Sequence, residues 1–164
     1  MPDYILKTDV LAPEEDISRE FEGHHPTRLF GVMNEKIRMI FKVGAANFFE
    51  DKVKWDKLGD PIEFFGQWRG KAGKDSLTTF WIKVVIQGRQ NIKDKSGYVK
   101  VKIKPWLETK IPYSTALDKT LKVANMKTFY LKQIRSYVEE AKRQTENFDR
   151  EIREMFEAEL VEEV

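Results

Sequence analysis

The stretch 77–104, LTTFWIKVVIQGRQNIKDKSGYVKVKIK, decides the fold. Both its halves alternate with period two, the repeat of a strand whose successive side chains point to opposite faces of a sheet. In the first half Phe80, Ile82, Val84 and Ile86 share one face, and Thr79, Trp81, Lys83 and Gln87 the other. In the second half Val99, Val101 and Ile103 alternate with Lys100, Lys102 and Lys104 without a break. The polar run 88–97 between them, bounded by two glycines, reads as a hairpin, so the strands are antiparallel neighbours. One face of this sheet is covered and the other is wet.

Working outward, 62–71 alternates as well, with Ile62, Phe64, Gly66 and Trp68 opposite Glu63, Phe65, Gln67 and Arg69. Before it, 52–57 sets Val53 and Trp55 against Lys52, Lys54 and Asp56. Gly73-Lys74-Asp75 and Leu58-Gly59-Asp60-Pro61 are turns by composition. Four strands thus form the hairpin block, and Pro105, which has no N–H to give a ladder, is expected to end or edge the last of them.

On either side of the block the period becomes helical. Upstream, an extended segment 3–11 breaks at Ala12-Pro13, and an acidic connector (Glu14, Glu15, Asp16, Glu20, Glu22) follows. Pro26 suits a first helical turn, and Leu29, Met33, Ile37, Ile40 and Phe41 recur at helical spacing up to Gly44. Downstream, from about residue 115, Ile134, Val138, Ala141, Thr145, Phe148, Ile152 and Met155 repeat every four and three residues, a continuous helical seam. A helix over 125–160 would run about 54 Å at 1.5 Å per residue, against about 33 Å for a strand of ten residues. Its distal end, about 148–164, is therefore expected to project, the alternatives being a kink that folds it back onto the sheet or a frayed acidic tail. Phe148, Ile152, Met155, Phe156 and Leu160 would then be an apolar interface, most simply with a second copy of the chain.

Composition narrows the function classes. At 164 residues, 41% hydrophobic and 34% charged, the chain reads as a single domain spanning 1–164 with its own core. It has no cysteine, which removes disulfides, thiolate nucleophiles and Cys-ligated zinc and fits a cytoplasmic location. No run reaches membrane-spanning length. The net charge of +2 hides segregation: 67–110 is basic and 146–164 acidic. Lysines alternating with core residues read as a solvated face, so nucleic acid is an unlikely partner. His24 and His25, the only histidines, lack a ligand spacing, so no metal is expected, and no cofactor-binding motif is present.

This order of elements resembles the START-like helix-grip superfamily, which includes polyketide cyclases and aromatases, birch-pollen-allergen-like proteins and lipid-transfer domains. The resemblance lies in layout rather than in a motif, and Leu58-Gly59-Asp60-Pro61 stands where the pollen-allergen branch has a glycine-rich loop. It implies an α+β fold in which a curved antiparallel sheet grips a long C-terminal helix, with a short helix after the first strand. It also implies an apolar cavity between the two. Trp55, Phe64, Trp68, Phe80, Ile82, Val84, Val101 and Ile103 from the sheet, with Tyr130, Ile134 and Tyr137 from the helix, are the candidate lining. The same spacing serves an ordinary core.

Three functions follow as expectations. The first is binding or carriage of an apolar small molecule in that cavity, and the second is assembly through the distal helix. The third is a cyclase-like reaction in the same cavity, for which no catalytic signature is present.

Overall fold

A computed structural model describes residues 2–162, with side chains through residue 157. Strands β1 (Asp3–Asp9) and β2 (Ile17–His24) precede a 3-10 turn (Pro26–Arg28) and helix α1 (Leu29–Ile40). Strands β3 (Phe48–Asp56), β4 (Ile62–Gly73), β5 (Thr78–Gln90) and β6 (Ser96–Pro112) form the hairpin block. Helix α2 (Ala116–Asn125) runs through a π turn (Met126–Tyr130) into α3 (Leu131–Glu162). The result is an α+β helix-grip: a curved antiparallel sheet of six strands, a short helix after the first strands and a long C-terminal helix.

The sheet order is β1-β6-β5-β4-β3, with β2 also paired to β6. Val84 faces Ile103 across the β5–β6 ladder, and Trp68 faces Val84 across β4–β5. The apolar set of each strand therefore lands on one face, as a period of two requires. That face, the sheet's inner one, packs against Leu29, Met33, Ile37 and Phe41, one stripe of α1 and its C-terminal cap, all without exposed surface. Gly66 makes room for the largest inner residue: a Cβ there would stand 2.2 Å from Trp68 Cη2.

One feature departs from the sequence reading, and a second decides between the two roles it left open for Pro105. The acidic connector contains β2, whose Ile17 and Phe21 turn inward while Ser18, Glu20 and Glu22 stay exposed. Pro105 does not end β6, which continues to Pro112. Ile103 is the last residue of β6 paired with β2 and Trp106 the first paired with β1, so Pro105 faces the break between them. There the outer edge of β6 has no ladder to interrupt.

Helix α2 starts where its cap dictates. Thr115 Oγ1 accepts the Asp118 N–H at 3.1 Å, and Asp118 accepts the Ser114 N–H at 2.9 Å, so the first turn's unpaired donor and the preceding backbone are both satisfied. The chain stays helical from there to residue 162, about 70 Å at 1.5 Å per residue.

Candidate functional site: a groove between the edge strand and the helix

The space expected to be a cavity is filled. Phe80, Ile82, Val84 and Ile103 have no accessible surface and Val101 only 1%. A void able to admit water would leave its lining accessible to a water-sized probe. These five, with Phe64 and Trp68, are packed core. Trp55 lies at the margin, 36% exposed, where Phe30 of α1 meets it edge-on at 5.1 Å and also contacts Phe64 and Trp68. Trp68 directs its indole N–H to Glu50, 3.1 Å away.

The interface assigned to the distal helix is likewise interior. Phe148, Ile152 and Phe156 are buried and Met155 packs on the same core. Phe156 stacks on Phe21 of β2 at 4.6 Å, with the Arg28 guanidinium over its ring. Phe148 lies against Phe41, their ring centroids 5.4 Å apart. The partner of this stripe is β2, which lies within the segment expected to be a connector. Charge ties the same end down: Asp149, almost wholly buried, takes a two-point hydrogen bond from Arg19 of β2 and lies 3.3 Å from Arg153. Leu160 lies outside the residues whose side chains are described.

Tyr130 and Tyr137 sit on the helix but reach a turn rather than a cavity. Both phenols donate to Asp75 Oδ2 in the β4–β5 turn, where Asp75 Oδ1 already accepts the N–H groups of Leu77 and Thr78. With the Tyr130 hydroxyl donating to Asp75, Thr78 is left to donate to the phenol oxygen and Thr109 to Thr78, each across 3.0 Å. Burial pushes the Asp75 carboxyl up, but the hydrogen bonds from Tyr130, Leu77, Tyr137 and Thr78 outweigh it and hold the group below its ordinary value. Burial and the bond to Asp75 push both tyrosines up. A carboxylate holding four donors has no free lone pair for a substrate proton, and phenols shifted upward do not ionise near neutrality. The cluster is a latch between helix and sheet.

An open space does exist beside the latch. The free edge of β1 and the start of α3 enclose a groove of about 600 Å³, lined by Leu6, Thr8, Leu131, Ile134 and Val138, with Lys127, Arg135 and Glu139 on its rim. Of the residues expected to line a site, Ile134 is the one placed here. Leu6 belongs to the inward alternation of β1, and Leu131 and Val138 continue the helical stripe, so periodicity carried the signal for the floor. The position of the groove depends on which strand forms the sheet edge, which periodicity does not show. Among the described residues neither Lys127 nor Arg135 has an ion-pair partner.

The outer face of the sheet is built differently. Trp81 and Trp106 stack at 5.9 Å, and Phe49 adds a third ring 6.5 Å from Trp81. Arg69 and Lys71 lie over Phe49 and Trp81, and Lys7 over Trp106. Arg69, Arg89, Lys102 and Lys104 are ion-paired to Asp51, Glu63, Asp16 and Glu15. Among the described residues no cluster of three or more histidines and acids is placed to hold a metal ion, and no helix is long and apolar enough to cross a membrane.

No family model and no curated protein matches this chain. Among solved structures, a Staphylococcus aureus protein of unknown function, SA2116, aligns at 8% identity, covering 83% of this chain and 97% of that one with a TM-score of 0.20. Ara h 8.0201 aligns at 14% identity, covering 75% of this chain and 96% of its own, also at 0.20. Likenesses this distant carry no argument about function.

Proposed function

We propose that this chain is a noncatalytic binder of a small amphipathic molecule with an apolar body and an acidic end, held in the groove between β1 and α3. The observation that carries the reading is the pairing of an apolar floor, Leu6, Leu131, Ile134 and Val138, with Lys127 and Arg135, two cations in the same lining as Glu139 that have no ion-pair partner among the described residues. The apolar floor supplies a transfer free energy of about 25 cal/mol for each Å² it covers, and the cations favour a carboxylate over a neutral head. The size accords with small-molecule sites, which run from roughly 300 to 1,000 Å³. The START-like resemblance implies the same class of ligand in a different place, the space that Phe80 and Ile103 fill here.

The test is displacement of a fluorescent long-chain fatty acid, with the matching alcohol as comparison. Micromolar binding of the acid, weakened about tenfold by Leu131→Glu, supports the groove. Arg135→Gln is expected to weaken the acid and leave the alcohol unchanged. Failure of both probes to bind at about 100 μM, or binding indifferent to Leu131→Glu, would remove the proposal.

A further inference from the structure

We infer that the cleft between β2 and α3 binds an oligophosphate anion, with Arg143 and Arg150 as its exposed ligands and Arg19 and Arg153 as its fixed wall. The cleft shares no residue with the groove between β1 and α3, so the inference stands whether or not the groove takes a ligand. It measures about 650 Å³ and is lined by four arginines, Arg19, Arg143, Arg150 and Arg153, against two acids, Glu146 and Asp149. Arg143, Arg150 and Arg153 follow one another at intervals of seven and three residues, which keeps them on one side of α3. Arg19 faces them from β2, held there by its two-point bond to Asp149.

Charge in the cleft does not balance. Asp149 is one carboxylate and meets two guanidiniums, since Arg153 approaches it to 3.3 Å beside Arg19. That approach makes no hydrogen bond, and Arg153 Nε is buried without an acceptor among the described residues. Arg143 is exposed and has no ion-pair partner among the described residues. Arg150 reaches Glu154 only at 3.8 Å, with the two side chains 61% and 63% exposed. A pair so open to water contributes little. The segment 146–164 is acidic as a whole, yet Glu151 turns away to Lys36 of α1 and Asp149 lies buried. Positive charge is left over where the cleft opens.

Guanidiniums select the ligand. Each presents a planar fork of N–H donors that matches the oxygens of a carboxylate or a phosphate and stays charged at any ordinary pH. A phosphate group on a carrier brings three strong acceptor oxygens and close to two negative charges, more of both than a carboxylate. Arg143 and Arg153 are ten residues apart, about 15 Å along the helix axis. A ligand with several phosphates therefore uses the lining more fully than one with a single phosphate. A second copy of the chain meeting this cleft symmetrically would set arginine against arginine.

The experiment is isothermal titration calorimetry of the full chain with sodium tripolyphosphate, inositol hexakisphosphate and citrate. The expected result is micromolar binding of a phosphate compound and at least tenfold weaker binding of citrate. Which phosphate compound binds tighter tells a linear chain from a phosphorylated ring. Arg143→Gln/Arg150→Gln is expected to weaken binding at least tenfold, as the loss of charge-assisted hydrogen bonds requires. Lys142→Gln, which removes a neighbouring exposed charge outside the cleft, is expected to change it less than twofold. Unfolding midpoints measured without ligand establish that these exposed substitutions leave the fold intact. Absence of binding by both phosphate compounds, citrate binding as tightly as they do, or indifference to Arg143→Gln/Arg150→Gln would overturn the inference. So would a Lys142→Gln loss equal to that of Arg143→Gln alone, since that assigns the binding to the general field of the surface.

Discussion

The two ends of the C-terminal helix carry the same kind of sequence and meet opposite surroundings. Phe148, Ile152 and Phe156 repeat every four residues and are buried against β2, β6 and α1. Leu117 and Leu121 repeat every four residues and stand in solvent. It is the beginning of the helix, not its end, that leaves large apolar side chains in solvent. An apolar period tells which side of a helix is greasy. What covers that side is decided by distant strands.

The sharpest way to break the comparison is to truncate one aromatic at the covered end. Phe148→Ala is expected to destabilise the chain by about 3–5 kcal/mol, the usual cost of emptying a packed aromatic site. A urea denaturation curve reads it as a lower midpoint with unchanged slope. A loss below about 1 kcal/mol would show that the distal helix does not depend on Phe41 and the inner face.

A smaller effect is expected midway, at the latch. Asp75 is held below its ordinary value, so the stability it gives is fully present above the unfolded-state value of about 3.9 and is lost as pH falls through the lower folded one. Asp75→Asn is therefore expected to lower stability at neutral pH and to leave the acid limb of the stability profile shallower than in the wild type. Thermal midpoints of both proteins between pH 7 and pH 2 decide it. Parallel curves throughout would mean that Asp75 takes no part in the acid transition.

The smallest effect belongs to the uncovered end. Leu121→Ser removes an exposed side chain and is expected to change stability by no more than about 0.5 kcal/mol. A loss of 2 kcal/mol would mean that α2 leans on a surface of its own chain, which would contradict its exposure.

The sequence made some of this legible for a simple reason. Val99 to Ile103 and Phe80 to Ile86 alternate because one wall of the sheet is dry, and Leu29, Met33, Ile37 and Phe41 repeat because one stripe of α1 is. Strand β2 was harder to see because Arg19 occupies an inward-lying register position between Ile17 and Phe21. It is tolerated there through its bond to Asp149, 130 residues along the chain. The continuation of β6 past Pro105 depends on a gap in a neighbouring edge, which is equally non-local. The groove floor was half visible, in Ile134, but its other wall is set by the pairing of β1. The helical spacing of Tyr130 and Tyr137 suits pocket aromatics. Their hydroxyls, which find Asp75 in a turn, outweigh the rings in deciding where they point.

The pairing of β6 with both N-terminal strands also bears on the order of assembly. Strands β3 to β6 follow one another along the chain and meet through short turns, so their ladders close small loops. The register of Asp3 with Pro112 and of His24 with Ser96 joins residues that lie far apart in sequence, and closing such loops costs more entropy. The four-strand meander is thus expected to form first, with the seventeen residues of β6 lying along an open edge until the first two strands arrive. During that interval Val99, Val101 and Ile103 lie on a strand able to pair with any other extended chain. The alternating Lys100, Lys102 and Lys104 put positive charge along that edge, which discourages two such intermediates from joining before their own N-terminal segments do.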